Sequence, residues 1–217
     1  MNSATRKRRD GIPIWIPGQT GTATPLKRVD IRRGGESVYS EAWLQTLLHE
    51  RPECLPIEQI EPGFGPLVPV CRELPLEFGA GRTGTLDNLF VTRSGGLLLV
   101  EAKLWRNPEA RRAVVAQAME YAASIFRLSF DELESAVIRA RKVAGENPKS
   151  LFELISIDSD LDEASFVDAV SRNLQRGRAI IAVVGDGIRE DIMPLAELLQ
   201  SHAGHRFTFA LVELAVY

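Results

Sequence analysis

Apolar and polar positions change rhythm several times along this chain, and each change marks an element. From Ser40, the run Glu41-Ala-Trp-Leu-Gln-Thr-Leu-Leu-His49 sets Trp43, Leu44, Leu47 and Leu48 on one stripe at helical spacing. Arg51-Pro52 ends it, so a short amphipathic helix is predicted. Three strands follow. Leu67 to Leu76 is apolar and partly β-branched, Thr85 to Thr92 alternates, and Gly96 to Lys103 is a near-continuous apolar run that ends in charges. After Pro108 the period becomes helical through Ser124, with Val114, Val115, Ala118, Ala122 and Ile125 as the buried stripe, and a second helix is predicted over Phe130 to Val143. A polar stretch from Gly145 to Lys149 interrupts the pattern.

The remainder reads as a helix over Glu163 to Gln175, a buried strand over Arg178 to Val184, a helix over Glu190 to Gln200 and a final strand over Phe207 to Val216. Strands alternating with helices in this way predict an α/β domain with a mixed sheet covered on both faces. Residues 1–36, rich in Gly, Pro, Thr and Arg and without helical period, read as an N-terminal arm or loose hairpin, leaving 37–217 as the folded domain. No internal repeat is visible.

Composition narrows the class. The chain has 217 residues, 45% hydrophobic and 25% charged, enough for a full core in one domain. Its longest apolar runs, such as Ala179 to Val184, fall far short of the roughly 20 residues a membrane helix needs, so no membrane span is expected. The basic start Thr5-Arg-Lys-Arg-Arg9 precedes an apolar stretch too short, and too broken by prolines, for a signal peptide. Cys54 and Cys71 form no CxxC pair, so neither a disulfide framework nor a zinc knuckle is indicated, and a reducing cytoplasm is the expected setting. Net charge is −3, unlike a non-specific nucleic-acid packaging protein. The basic residues cluster nonetheless. Arg6 to Arg9 and Lys27 to Arg33 read as solvated surface, whereas Arg106, Arg111 and Arg112, following Lys103, are candidate phosphate contacts.

The stretch Gly84 to Lys103 carries the chemistry. If Arg93, Ser94 and Gly95 form a three-residue hairpin loop with Gly95 left-handed, Asp87 falls directly opposite Glu101. Strand alternation puts Lys103 on the same face, two residues beyond Glu101. Facing carboxylates in a buried strand repel and are desolvated, so the arrangement calls for a cation. Oxygen ligands suit Mg²⁺ or Mn²⁺, which also meet phosphate oxygens. Lys103 could then orient or help deprotonate a water attacking a phosphodiester. Taken singly, each residue has a bland alternative: Asp87 in a turn, Glu101 and Lys103 as a weakly paired strand end.

Asp87 followed by Glu101-Ala102-Lys103 resembles the PD-(D/E)xK nuclease superfamily, which has a restriction-endonuclease-like fold. Gln117-Ala-Met-Glu-Tyr121 on the following helix resembles the QxxxY signature of its RecB and lambda-exonuclease branches, and Glu41 opens the helix before the sheet, where this superfamily often has an acid near the metals. Over about residues 37 to 125 the spacing of these motifs is similar to the catalytic domain of NucS/EndoMS-type DNA nucleases. The resemblance implies DNA as substrate and Mg²⁺ or Mn²⁺ held by Asp87, Glu101, the Ala102 carbonyl and Glu41. It implies that Lys103 polarises the attacking water and that Gln117 and Tyr121, four residues apart on one helical face, support it. Leu86 stands where the motif has proline. RNA as substrate, or a module that keeps the fold and binds nucleic acid or a protein without chemistry, is the alternative. A homodimer would suit cutting both strands.

Other signals weigh less. Gly79-Ala-Gly81-Arg-Thr-Gly84 spells GxGxxG but leads into a strand rather than a helix, so it reads as a flexible connection in which Arg82 can touch a phosphate. Gly185-Asp-Gly187 reads as a strand-to-helix turn, His202 and His205 as surface residues, and Trp105 as a candidate stacking platform or a packing residue.

Overall fold

The computed structural model describes residues 13–18, 21–29, 39–79, 81–104, 110–147, 149–157, 160–186, 193–202 and 206–217, with the side chains of 110–112 and 202 left aside. Near the N-terminus, strands β1 (Ile14–Trp15) and β2 (Thr24–Pro25) form a small antiparallel hairpin. Its exit is tied to the domain: Arg28 donates to Glu213 at 2.7 Å and to the Asp186 carbonyl at 2.8 Å.

The domain begins with helix α1 (Glu41–Glu50), whose N-cap Ser40 accepts a hydrogen bond from the Trp43 N–H. A 3₁₀ turn (Pro52–Cys54) and one helical turn, α2 (Ile57–Ile60), lead into β3 (Leu67–Gly79), β4 (Arg82–Thr92) and β5 (Leu97–Lys103). Then come α3 (Ala110–Ile125), α4 (Phe130–Val143), α5 (Leu151–Ile155), α6 (Glu163–Arg176), β6 (Ile180–Gly185), α7 (Met193–His202) and β7 (Thr208–Glu213). The five strands of the main sheet lie in the order β3-β4-β5-β6-β7; β3, β4 and β5 pair antiparallel, and β5, β6 and β7 pair parallel. The result is an α/β fold with a mixed sheet flanked by helices.

Alternation on the central strands divides the interior in two. Leu97, Leu99, Ile181 and Val183 join the cluster built with α3, α4, α5 and α6, whereas Leu98, Val100, Ala102, Ile180, Ala182 and Val184 join Leu44 and Leu48 of α1 in the other. Each buried Leu, Ile or Val adds about 1.5–3 kcal/mol relative to exposure. Both clusters together fix β5 and β6 from above and below.

The hairpin loop between β4 and β5 is Arg93-Ser94-Gly95, closed by Thr92 N–H to the Gly96 carbonyl at 2.9 Å. Gly95 has φ +80° and lies so close to Ala169 and Val170 of α6 that a Cβ would meet them at 2.8–2.9 Å, so two independent constraints require glycine here.

Two sequence expectations change. The stretch Gly79 to Gly84 is no loose connection: β3 and β4 pair through Leu76↔Gly84 and Glu77↔Thr83 to Gly79↔Arg82, so both strands outrun their predicted bounds. Two short helices, α2 and α5, were not anticipated, being below the length at which periodicity shows. Among the described residues no helix is long and apolar enough to cross a membrane.

Candidate metal centre

The centre lies where β4 and β5 part. Their ladder runs from Val91↔Leu97 to Asn88↔Val100 in the register that sets Asp87 across from Glu101. Thr92 and Gly96 form a hydrogen-bonded pair, and such pairs recur every second position, so the next bond past Asn88/Val100 would join Leu86 and Ala102. It is replaced. The Ala102 N–H donates to Asp87 Oδ2 at 2.7 Å, so a side-chain carboxylate takes the backbone's place. The other edge of β5 stays paired with β6 through Lys103↔Gly185.

Helix α1 closes the fork from one side. Its first turn sends Glu41 toward β5, where Lys103 Nζ stands 3.0 Å from the carboxylate and the Leu104 N–H donates to Glu41 Oε1 at 3.2 Å. One turn on, Gln45 Nε2 donates to Asp87 Oδ1 at 2.8 Å, and the Gln45 carbonyl accepts from Asn88 Nδ2 at 3.0 Å. Asp87 is thus held through both oxygens, by α1 and by β5.

Helix α3 closes the other side. Tyr121, 3% exposed, accepts a hydrogen bond from Gln117 Nε2 at 2.6 Å and packs against Phe78 at 5.4 Å between ring centroids. Gly84 lets the rings approach, since a Cβ there would meet Phe78 at 2.4 Å and Tyr121 at 3.0 Å. Burial, aided by the charges of Glu101 and Asp87, raises the Tyr121 hydroxyl above its ordinary value, so it remains a neutral hydrogen-bonding group.

Electrostatic tension concentrates on Glu101. The residue is 3% exposed, and its Oε2 has no hydrogen-bond partner among the described residues. Burial first, and then the Asp87 charge, push its carboxyl up to about 9, only partly opposed by Lys103. Burial likewise pushes Asp87 up to about 6, against the Ala102 N–H and Lys103, which favour its ionised form. Two desolvated acids sharing so little positive charge hold a proton at neutral pH unless a cation replaces it. The unpartnered buried oxygen and the all-oxygen donor set fit a hard divalent ion such as Mg²⁺ or Mn²⁺ that retains waters.

The structure therefore brings Asp87, Glu101, Lys103 and Glu41 to one end of the sheet, with Gln117 and Tyr121 behind them. It diverts Glu41, however, to Lys103. Among the described residues no three His, Cys, Asp or Glu side chains are gathered as a ready-made cage for an ion. Ala102 contributes its N–H to Asp87. Arg82 is exposed and within 3.4 Å of Glu120, so a neighbouring acid already balances its charge. Trp105 and Arg106 lie outside the described residues, as do the side chains of Arg111 and Arg112.

Two residues next to Asp87 escaped the sequence reading. Gln45 is buried, and its spacing of four from Glu41 was the available signal. Glu73 of β3 lies in register with Asp87, between the pairs Arg72↔Asn88 and Leu74↔Leu86, and nothing in the local sequence marks it. No protein-family model, curated protein or solved structure matches the chain.

Proposed function

We propose that this protein is a Mg²⁺- or Mn²⁺-dependent nuclease of restriction-endonuclease-like fold that hydrolyses phosphodiester bonds in DNA. The observation that carries the reading is Glu101: a buried carboxylate with an unpartnered oxygen, beside Asp87 and two residues before Lys103, at a fork where β4 releases β5. Asp87 and Glu101 would hold the ion, which when bound supplies the positive charge that stabilises phosphoryl oxygens in hydrolysis. The resemblance adds the Ala102 carbonyl to the ligand set and an acid at the Glu41 position, where this chain pairs Glu41 with Lys103.

The chain's own groups divide the remaining work. Gln45 and the Ala102 N–H fix the Asp87 carboxylate in place, so little reorganisation is needed when charge develops. Lys103, held by Glu41, donates a hydrogen bond to the attacking water and to a phosphate oxygen, which orients in-line attack. Tyr121 and Gln117 wall the α3 side and keep Lys103 and the substrate phosphate in register. Arg82, Arg106, Arg111 and Arg112 would follow the backbone of the nucleic acid.

The test is direct. The purified protein is incubated with linear duplex DNA, circular single-stranded DNA and RNA, in Mg²⁺, Mn²⁺ or EDTA, beside Asp87→Ala and Lys103→Ala. Cleavage of DNA that requires the metal and both residues is expected. Preferential cleavage of RNA would move the substrate, and absence of any Mn²⁺ binding by calorimetry would overturn the reading in favour of a non-catalytic module.

A further inference from the structure

Glu73 stands out among the described residues as the non-glycine with positive φ, +53°. An L-residue in the left-handed region costs about 1–2 kcal/mol, and glycine would adopt it freely. The backbone is doing something specific there. On β3, Cys71 faces the α3–α4 cluster and so do Leu74 and Leu76; on β4, Leu89 and Val91 face it and so does Leu86. Regular alternation cannot put both 71 and 74, or both 86 and 89, on one face. The ribbon therefore changes phase at the Glu73/Asp87 level on both strands at once. This kink turns Asp87 out of the core and into the fork, where it reaches Ala102 and Gln45.

The same kink leaves Glu73 exposed on β3, in register with Asp87 on the neighbouring strand, and in no hydrogen bond or ion pair among the described residues. Its charge is felt at Asp87, where it opposes ionisation. Glu41, the other nearby acid, is committed to Lys103 and the Leu104 N–H. On the other side of Asp87, the buried Glu101 Oε2 has no hydrogen-bond partner among the described residues, so Asp87 lies between an exposed acid and a buried one that lacks positive charge.

We infer that Glu73 is a further cation ligand of this centre, the third carboxylate beside Asp87 and Glu101, while Glu41 remains the partner of Lys103. The inference rests on the metal-dependent reading above. An exposed, partner-free side chain turns onto an incoming ion without breaking any existing bond, and a third anionic oxygen raises affinity where two carboxylates and water leave it low. The acid would also hold the ion at the solvent side, where a phosphate must approach.

Mn²⁺ binding, followed by calorimetry and by the electron spin resonance signal of the free ion, tests this on the full chain. Parent protein should bind, and Asp87→Asn should abolish binding. Glu73→Gln and Glu73→Gly should each weaken it by about tenfold or more. Glu73→Gly accepts the left-handed backbone without strain, so weakened binding in that variant, with an unchanged or raised melting temperature, is loss of a ligand and not of the fold. Glu77→Gln removes the same charge from an exposed position on the same strand and should leave affinity unchanged. Parental affinity in Glu73→Gln, with binding lost in Asp87→Asn, would overturn this inference and leave the metal centre standing. An equal loss in Glu77→Gln would reduce Glu73 to general surface charge and also overturn it, and no binding by the parent would remove both readings.

Discussion

The two edges of β5 are treated differently. Along β6 it is paired without interruption from Leu98↔Ile180 to Lys103↔Gly185, whereas along β4 pairing stops at Asn88↔Val100. One edge is scaffold and the other is an opening. The continuous edge fixes Glu101 and Lys103 in space through backbone bonds and through buried neighbours on both faces. The released edge exposes a backbone donor, the Ala102 N–H, which a carboxylate then claims. Position is thus set on the β6 side and chemical potential on the β4 side, so substitutions on the two sides should fail in different ways.

The largest expected effect breaks the released edge. Asp87→Ala should lower metal-dependent cleavage by on the order of 10³-fold, about 4 kcal/mol of transition-state stabilisation, with little change in thermal stability because a strained, desolvated acid has been removed. Cleavage within tenfold of the parent would deny the fork its role. On the continuous edge, Ile181→Ala empties a fully packed position of β6 and should cost about 2–5 kcal/mol in denaturant unfolding, while activity per folded molecule stays near that of the parent. An Ile181→Ala protein of normal stability would mean that β6 is not the scaffold described.

A smaller effect follows from pH. Asp87 and Glu101 are raised in the folded chain, to about 6 and about 9, so the folded state binds their protons more tightly than the unfolded one. Stability of the metal-free protein is then highest below the ordinary carboxylate range and falls as pH rises through 6 toward 9, by at most about 1.4 kcal/mol per unit for each proton. Melting temperature measured in EDTA should decline over that window, and Glu101→Gln should flatten the decline. Mn²⁺ should restore stability most at its alkaline end, because the ion displaces the protons. A flat profile in the parent would show that the two acids are not under the tension assigned to them.

Much of this arrangement is legible in the sequence. The register of β4 on β5 followed from a three-residue loop ending in Gly95, and it holds: Asn88 faces Val100. Helix α1 followed from its leucine spacing and from Pro52, and α3 from its stripe after Pro108. Helix α5 was missed although Ser150 and Glu153 form a capping box, a signal as clear as that of Ser129 and Glu132 at α4. Glu41 was expected at the metal because the resemblance has an acid at the start of that helix. Its engagement by Lys103 depends on how α1 docks across β5, which no local pattern encodes. Glu73 was invisible for a different reason. A left-handed residue inside a strand is normally announced by glycine, and here a glutamate adopts it because two strands change phase together.

The smallest predicted effect separates the roles of the two donors on Asp87. Gln45→Leu keeps the size and burial of the side chain and removes only the hydrogen bond to Oδ1, so the cost in stability should be about 1–2 kcal/mol. The Ala102 N–H still holds Oδ2, so the carboxylate stays at the fork. Having lost a donor that favours its ionised form, Asp87 should titrate higher, and the acid limb of the pH–rate profile should move toward neutrality. Cleavage above that limb should approach the parental rate. If the limb stays fixed while the rate falls at every pH, Gln45 acts through the packing of α1 against β4, and the backbone donor alone governs Asp87.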